Sequence, residues 1–459
     1  MNRKKFLKTL STIAVVGATS IPKKAHGQVI DPLKNLETKP KNSNAKKAII
    51  LGGGLSGLYA AYLLKQTGFE TIIIEKGDRL GGRIHTYKNT ELGILQDLGG
   101  EWIGDGQSDI KSLVRQLNLE LLPSFVSEKF NINQPKSDIL KISEPSIETL
   151  EKVIDLHKSL GSNQKQGLDK INFSAYARYQ GISEEEVKSL NQIYRIILGE
   201  DLHKISSESV LDDLSALQSA LKPKYVVKGG AESIITELTN LLKGQEISLG
   251  DPVVKVSQQK NQAVVELSTG KTYKASLVVC TLPTTAVLDI KWTPGLPKDL
   301  LYSGLRMQTG KISKNLILCK DKPSLNKYFQ VTNTPAETLY LGEQALNSGM
   351  AAITSISTGD RAGLIEAGNN HQKQSLLKIA LDEYSELELA NENAFYFHSF
   401  KANTGRSGFV SLFPPGSFGI KEVWFEPFER VFFAGEHLAP HTGSMDAAVA
   451  SAIQAISKT

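Results

Sequence analysis

The sequence KAIILGGGLSG, residues 47–57, sets a short apolar run directly before a cluster of glycines. The run predicts a buried strand over Lys47–Leu51, and the residues that follow predict a helix over Gly57–Gln66. A second apolar run, ETIIIE at Glu70–Glu75, predicts a second strand. A β-α-β unit with GxGxxG between its first strand and its helix is typical of dinucleotide binding. A tight structural turn is the alternative explanation for the glycines alone.

Each part of this unit has a physical role in holding a dinucleotide. Gly52 permits a tight turn, Gly54 lets the backbone approach a pyrophosphate, and Gly57 allows the helix to pack on the strand. The start of the helix then points its amides at the phosphate charge. A carboxylate at Glu75 can accept ribose hydroxyls. The predicted contacts of this unit are Gly52, Gly54, Leu55, Ser56, Gly57, Glu75 and Lys76.

A second glycine pair follows shortly after the β-α-β unit, as Gly81-Gly82-Arg83. The glycines allow close backbone approach, and Gly82 and Arg83 predict a second phosphate contact with a fixed cation. A plain surface loop that carries an arginine is the alternative. His85, just beyond, fits a packing or surface role better than a catalytic one.

Five more motifs follow in a fixed order along the chain: DLGGEWI (97–103), YVVKGG (225–230), PV (252–253), FAGEH (433–437) and GSMD (443–446). In order and spacing, the whole set resembles the flavin-containing amine oxidase family of monoamine, polyamine and L-amino acid oxidases. The resemblance covers about residues 46–115, 225–320 and 409–457. The helical stretch between them, within 145–222, is less specific, and its polar segments near 161–169 and 180–183 predict breaks.

The resemblance implies an α/β fold in which a Rossmann-type FAD-binding domain is interleaved with a discontinuous α+β substrate-binding domain. The predicted boundaries are 1–27 for a signal peptide, 28–44 for a flexible leader, 45–120 with 225–300 and 425–459 for the FAD-binding domain, and 121–224 with 301–424 for the substrate-binding domain.

The resemblance also implies where FAD would lie. Its flavin would lie against Gly99, Gly100, Glu101 and Trp102. The adenine would meet Val253, and Gly435 and Glu436 would approach the pyrophosphate and the ribityl chain. The helix that starts at Ser444 and Met445 would point its positive end at the flavin, where it stabilises negative charge.

A catalytic lysine beside the flavin is a further implication, and Lys314 in GKISKNLILC (310–319) aligns best. A lysine at the start of an apolar strand is unusual unless its ammonium has a function or reaches solvent. Lys311 and a merely solvated lysine are the alternatives.

The chain departs from the family pattern at the substrate side. Gly408 stands where monoamine oxidases carry the cysteine that tethers FAD, so non-covalent FAD is expected. The family holds its amine between two aromatic rings, and these positions are Phe409 and Ser444 here, so half of the cage is missing. Arg306 or Arg406 could bind a substrate carboxylate, although a structural ion pair is the commoner fate of an arginine.

The distribution of charge along the chain argues against nucleic-acid binding. Six of the 53 Lys and Arg residues lie in residues 1–27, which contain no Asp or Glu, so the rest of the chain is nearly neutral. No nucleic-acid partner is therefore expected.

The charged start, the apolar run and Ala25-His26-Gly27 predict a signal peptide, with periplasmic or secreted location. The start resembles a twin-arginine export signal with Lys4 in the second position, and ordinary secretion is the alternative. The apolar run is too short for a stable membrane anchor.

The two cysteines, Cys280 and Cys319, lie in apolar strand-like runs. They are expected to be buried small hydrophobic residues, with a disulfide as the alternative. No metal site is expected, because no His or Cys cluster has ligand spacing.

The predicted activity is FAD-dependent oxidation of an amine to an imine, which hydrolyses to a carbonyl compound. Oxygen or another electron acceptor would take the electrons, and oxygen would give hydrogen peroxide. The alternatives are an L-amino acid oxidase, a desaturase-like FAD oxidoreductase of the same fold, and a non-catalytic flavin-binding protein. A homodimer is compatible with this prediction.

Overall fold

The structure is a computed structural model that describes residues 46–128, 143–220, 223–342, 349–391, 394–398, 408–439 and 442–459. Its central feature is a parallel sheet that has the glycine motif at one edge. The strands are β1 Lys47–Leu51, β2 Glu70–Glu75, β3 Thr86–Asn89, β4 Ile94–Asp97, β5 Ile103–Gly104, β6 Leu121–Pro123, β7 Pro223–Val227, β8 Glu246–Leu249, β9 Val253–Gln258, β10 Ala263–Leu267, β11 Thr272–Ala275, β12 Leu277–Cys280, β13 Lys291–Thr293, β14 Gln308–Gly310, β15 Ile312–Lys320, β16 Phe329–Val331, β17 Thr338–Leu341, β18 Met350–Thr358, β19 Phe395–Phe397, β20 Val410–Leu412 and β21 Val431–Phe433.

The α-helices are α1 Leu55–Gln66, α2 Ser108–Gln116, α3 Glu144–Ser159, α4 Ser162–Asp169, α5 Phe173–Tyr179, α6 Glu184–Leu198, α7 Ser207–Ala220, α8 Glu232–Leu241, α9 Thr284–Asp289, α10 Lys298–Arg306, α11 Gly359–Ala367, α12 Asn370–Asp382 and α13 Met445–Ile456.

The parallel sheet has the order β21-β12-β1-β2-β8. Its central strand β1 pairs in parallel with both neighbours, so that Ile49 lies beside Ile72 on one side and Val278 on the other. Because the strands run in one direction, their carboxyl ends share one edge of the sheet. The glycine motif follows β1 at that edge, Glu75 ends β2, and Gly435 comes soon after β21. Ligands of open parallel sheets bind at this edge.

Helix α1 packs closely on the sheet because residue 57 has no side chain. A Cβ atom at Gly57 would lie 2.0 Å from the carbonyl oxygen of Gly52. The last helix, α13, also packs against α1. The predicted role of Gly57 in close helix–strand packing is therefore seen in the geometry.

A second sheet is antiparallel and has the order β16-β17-β18-β15-β19. Its long strands β15 and β18 pair over their whole length, and Lys314 on β15 lies directly beside Ile356 on β18. Both strands are buried almost throughout. A core that includes Ile317, Ile353 and Leu377 joins this sheet to α12.

The helical section, α3 to α7, differs in one place from the prediction. Residues 162–169 form helix α4 where a polar break was expected. The side chain of Gln164 accepts a hydrogen bond from the Gly161 amide at 3.0 Å and so caps the helix start, while Leu168 is buried. Local capping and one buried leucine therefore outweigh the polar composition. The second predicted break, at 180–183, lies between α5 and α6, and Ser183 caps α6.

The strands of the two sheets come from different parts of the chain. All five strands of the parallel sheet lie in the ranges predicted for FAD binding, and all five strands of the antiparallel sheet lie in 301–424. All the described residues nevertheless belong to one compact unit, so the division into two domains stays a prediction. The predicted signal peptide and the leader lie outside the described residues.

Within the described residues, no helix is both long and apolar enough to cross a membrane. Cys280 and Cys319 are buried and free, as expected for small hydrophobic residues. Burial raises the pKa of each thiol to about 12, so both stay protonated.

Candidate active site

A cavity of about 520 Å³ begins at the carboxyl edge of the parallel sheet and extends to β15. Of the residues predicted to contact the cofactor, all but Gly57 line it: Gly52, Gly54, Leu55, Ser56, Glu75, Lys76, Gly82, Arg83, Gly99, Gly100, Glu101, Trp102, Val253, Gly435, Glu436, Ser444 and Met445. The predicted catalytic Lys314 and the predicted substrate contact Phe409 line the same cavity. One space therefore joins the predicted dinucleotide site to the predicted site of chemistry.

The segment Gly52–Gly57, with Gly81 and Gly82, forms what we call the glycine cradle. Gly52 has a φ of +104°, which a side chain would strain, and this conformation makes the turn. A Cβ atom at Gly54 would meet nothing within 4 Å, so this backbone faces open cavity. Gly54 starts α1 without any side-chain cap. The first amides of α1 are thus available to a phosphate group.

Glu75 holds the cradle from the end of β2. Its Oε2 atom accepts a hydrogen bond from the Gly53 amide at 2.8 Å, and its Oε1 atom accepts one from the Gly77 amide at 2.7 Å. A carboxylate has about four acceptor positions, so capacity remains for ribose hydroxyls. Glu75 therefore orders the turn in addition to its predicted contact with the nucleotide.

Arg83 connects distant segments on the wall of the cavity. Its Nη1 atom donates to Glu436 Oε1 at 2.7 Å and to the carbonyl oxygen of Phe409 at 2.9 Å. Glu436 also accepts from the Ser411 hydroxyl at 2.6 Å and from the Gly443 amide at 2.8 Å. Burial alone would raise the pKa of Glu436, but the Arg83 charge and the hydrogen bonds hold it below its usual value. Glu436 therefore stays ionised beside Arg83.

The start of α13 lies against the DLGGEWI segment. A Cβ atom at Gly100 would lie 3.2 Å from Met445 Cγ, so the two predicted flavin contacts meet. The Ser444 hydroxyl accepts a hydrogen bond from the Ala447 amide at 3.0 Å and caps the helix. Ser444 lines the cavity, but its polar atom already serves α13.

We call Lys314, Glu101, Trp102 and Tyr340 the lysine cluster. Lys314 Nζ lies 2.6 Å from Glu101 Oε2 and 3.2 Å from the carbonyl oxygen of Gly99. The Tyr340 hydroxyl donates to the same Glu101 oxygen at 2.6 Å. The side chains of Lys314 and Glu101 are 4% and 2% exposed. Lys311, the alternative, is exposed and does not line the cavity.

The two bonds of Lys314 use two of its three ammonium protons. The ammonium also lies 4.8 Å from the centre of the Trp102 ring, within the range of a cation–π contact. One donor therefore remains for a water or a ligand in the cavity. The cluster supplies a fixed, charge-balanced proton donor at the end of the cavity away from the cradle.

A second buried carboxyl group lies behind this cluster, on β4. Burial, and then the charge of Glu101, raise the pKa of Asp97 to about 7. The Thr86 hydroxyl donates to Asp97 at 2.5 Å and the Ala231 amide donates at 3.0 Å. Asp97 thus changes its charge near neutral pH, close to Glu101 and Lys314.

Apolar side chains surround the lysine cluster and line the end of the cavity. They are Ile196 and Ile197 of α6, Ile312 and Ile356 of the antiparallel sheet, and Phe409. No motif in the sequence marks these four isoleucines or Tyr340 as site residues. They lie on elements that are amphipathic or buried, and only the folded chain shows which side chains reach the cavity.

Of the two arginines proposed for a substrate carboxylate, the described one, Arg306, does not lie at this site. Arg306 donates to the carbonyl oxygen of Pro415 at 2.6 Å and does not line the cavity. Arg406 lies outside the described residues. Among the described residues that line the cavity, Arg83 is the only arginine, and Glu436 and Phe409 engage it.

These residues fit FAD. An open glycine turn with uncapped helix amides suits a pyrophosphate, Glu75 suits a ribose, and the absence of a side chain at Gly100 lets Met445 pack against the DLGGEWI segment. The same cavity that these groups line is also lined by Lys314.

The comparison with protein families agrees with this geometry. The model of the family described as flavin containing amine oxidoreductase matches residues 55–455. The chain therefore belongs to the flavin-containing amine oxidoreductase family, and it is an FAD-dependent oxidoreductase. The resemblance, the fold class and the FAD cofactor predicted from the sequence are confirmed.

The similar proteins include enzymes that act on L-amino acids and enzymes that act on amines. The L-amino-acid oxidase of Vipera ammodytes ammodytes is 24% identical and is aligned over 90% of this chain and 93% of its own. An L-amino acid dehydrogenase of Synechocystis sp. is also 24% identical, over 89% and 93%. Among solved structures, cyclohexylamine oxidase from Brevibacterium oxydans superposes with a TM-score of 0.77 at 19% identity, over 90% and 98%. Putrescine oxidase bound to putrescine gives 0.76 at 18%, over 91% and 99%.

Proposed function

We propose that this protein oxidises an amine with an apolar body and no carboxylate on the amine carbon. The carbon loses a hydride, a C=N bond forms, and the imine then hydrolyses in water to a carbonyl compound. FAD supplies the chemistry by accepting the hydride. The observation that carries this proposal is the lining of the cavity end, where apolar side chains surround the lysine cluster.

The charges of the cavity support an amine over an amino acid. An L-amino acid brings a carboxylate that needs a positive partner when it leaves water. Of the three described basic residues that line the cavity, Lys314 is paired with Glu101, Arg83 is paired with Glu436, and Lys76 directly follows Glu75 beside the glycine cradle. A neutral amine on an alkyl or aryl body has no such requirement, and Ile196, Ile356 and Phe409 can bury that body.

The residues of the chain have three roles in this reaction. The glycine cradle and Glu75 hold the dinucleotide part of FAD. Lys314 presents its remaining proton to a water or a ligand beside the reacting carbon, while Glu101 and Tyr340 hold the lysine in place. The isoleucines exclude bulk water, which strengthens every charge interaction at the site.

Two matched pairs of compounds test the substrate class. Under anaerobic conditions, 2-phenylethylamine and 3-methylbutylamine should bleach the flavin absorbance, and should do so faster than L-phenylalanine and L-leucine, from which they differ only by the carboxylate. Faster bleaching by the amino acids would overturn the proposal and would favour the L-amino acid oxidase activity of the sequence relatives.

Non-covalent FAD is part of the proposal. A Cβ atom at Gly408 would lie 2.4 Å from the carbonyl oxygen of Gly310, so the tether position of monoamine oxidases has no room for a side chain here. Cys280 and Cys319 are buried, and neither lines the cavity. Denaturation of the yellow protein should release all flavin into the supernatant, and flavin retained on the precipitate would contradict this.

Oxygen as electron acceptor and export from the cytoplasm complete the proposal. The positive start and the small-residue cleavage site of residues 1–27 support export. Peroxide should appear in step with amine consumption in air. A fusion of residues 1–44 to a folded reporter should be exported, and loss of the twin-arginine machinery should block it. Export that persists without this machinery would indicate ordinary secretion.

A further inference from the structure

A buried histidine in the helical section has no role in the cavity. His157 lies near the end of α3, and its side chain is 1% exposed. Neither of its ring nitrogens has a hydrogen-bond partner among the described residues. A buried imidazole normally bonds through at least one nitrogen, because leaving a buried polar group unpaired costs about 1–3 kcal/mol.

Two carboxylates face this histidine from a neighbouring helix. Glu208 and Asp212 lie one turn apart on α7, so both point to the same side. His157 Nε2 lies 3.7 Å from Glu208 Oε1. One ligand atom from each of the three residues lies within 4.8 Å of the other two. Two ligands of a tetrahedral zinc ion lie roughly 3.3 Å apart at bond lengths near 2 Å, so only small side-chain movements are needed.

We propose that His157, Glu208 and Asp212 bind a divalent transition-metal ion of the zinc type, with water in the fourth position. One imidazole and two carboxylates suit Zn²⁺ better than Mg²⁺ or Ca²⁺, which prefer oxygen ligands alone. The ion gives the imidazole nitrogen its missing partner. It also ties α3 to α7, two helices that pack side by side.

Two lysines near Asp212 limit the affinity of this site. Lys165 Nζ lies 4.0 Å and Lys421 Nζ lies 3.9 Å from the carboxylate oxygens of Asp212. Their side chains are 25% and 19% exposed, so each ammonium can turn toward solvent when the ion binds. The site has two carboxylates for one doubly charged ion, and the lysines are charge partners in its absence.

The sequence did not predict this site, because its ligands are separated by α4, α5 and α6. Metal motifs are recognised in sequence by short, regular spacings of Cys and His. Only Glu208 and Asp212 have such a spacing, and two acids one helical turn apart are common on solvated helices. The packing of α3 on α7 adds the histidine.

Zinc binding to the tag-free, FAD-loaded full chain tests the proposal. After EDTA treatment and dialysis, we expect one Zn²⁺ per chain by calorimetric titration and mass spectrometry, together with a rise in Tm. His157→Gln and Glu208→Gln should each lose this binding at zinc concentrations that saturate the unchanged protein. His371→Gln is the matched control, because His371 is exposed on α12, outside the cluster.

The outcomes separate clearly. Loss of zinc in both ligand variants, with binding kept in the His371 variant, supports the site. Zinc binding kept in both ligand variants, or absent from the unchanged protein, overturns it. Should His157→Gln fail to fold, Glu208→Gln alone decides, because Glu208 is partly exposed and not in the core. Loss of the visible Co²⁺ spectrum in that variant is the second readout.

Discussion

The glycine cradle and the lysine cluster lie at opposite ends of one cavity and are built in opposite ways. The cradle presents backbone from two nearby stretches of the chain, Gly52–Gly57 and Gly81-Gly82, and Glu75 is the carboxylate that holds it. The lysine cluster presents side chains from three separate strands or loops, paired over long sequence distances. A binding site made of backbone amides requires positions without side chains, so that a ligand can approach the backbone. A binding site made of buried charged side chains requires that their charges balance.

The ion pair of the lysine cluster should show the largest effect. In Glu101→Gln the Lys314 ammonium stays buried without its anion, which should lower the free energy of unfolding by about 3–5 kcal/mol. The double variant Glu101→Gln/Lys314→Met should lose less than the sum of the two single variants. Chemical denaturation measures all three. Glu120→Gln is the control, because its pair with Lys228 is largely exposed and should contribute about 0–1 kcal/mol. Additive losses would show that the pair is not coupled.

Removal of the lysine proton donor should mainly slow the chemistry. Lys314→Met should reduce the rate of anaerobic flavin reduction or reoxidation by about 100-fold or more, while the yellow protein keeps its FAD. Lys311→Met is the matched control and should keep the rate, because Lys311 is exposed and outside the cavity lining. Turnover that is unchanged in Lys314→Met would remove this residue from the mechanism.

The cradle should be sensitive to a single methyl group. Gly57→Ala places a Cβ atom 2.0 Å from the Gly52 carbonyl oxygen, so α1 must move away from the turn. We expect a loss of about 1–3 kcal/mol in stability and a clear loss of FAD affinity in a fluorescence titration. Gly167→Ala is the control: a Cβ atom there meets nothing within 4 Å, and alanine favours helix α4. Equal FAD affinity in both variants would disprove the close-packing role.

The last effect concerns pH. The pKa of Asp97 is about 7 in the folded chain against 3.8 for the free group, so between these values the folded state binds more protons than the unfolded state. Stability from this group is therefore present below about pH 4 and is lost as pH rises through about 7. Asp97→Asn should reduce the fall in the free energy of unfolding between about pH 5 and about pH 8. Asp155→Asn, at an exposed position, should leave that fall unchanged.

Local sequence was enough to predict the cradle but not the lysine cluster as a whole. Strand β1, the glycines and strand β2 follow each other in one short segment, and their bounds match the prediction. Lys314 was identified by alignment to the family pattern, and its exposed alternative Lys311 was separated from it by burial. The sequence around Tyr340 and Ile196 contains no motif that marks either residue as part of a site. A tyrosine or isoleucine in an apolar run predicts only that the residue is buried. The helix at 162–169 was missed because its cap, Gln164, acts through a local hydrogen bond.

The bond between Arg83 and Glu436 can form only late in the synthesis of the chain. The two residues are separated by 353 positions, a distance that a ribosome takes about 20–70 s to translate. Until residues 431–456 emerge, the parallel sheet lacks its edge strand β21, and α1 lacks its neighbour α13. A nascent chain that lacks these residues therefore has an incomplete FAD-binding cavity. Cofactor loading must be a late event in biogenesis, and shortened chains that end before this segment should be colourless however well their first half folds.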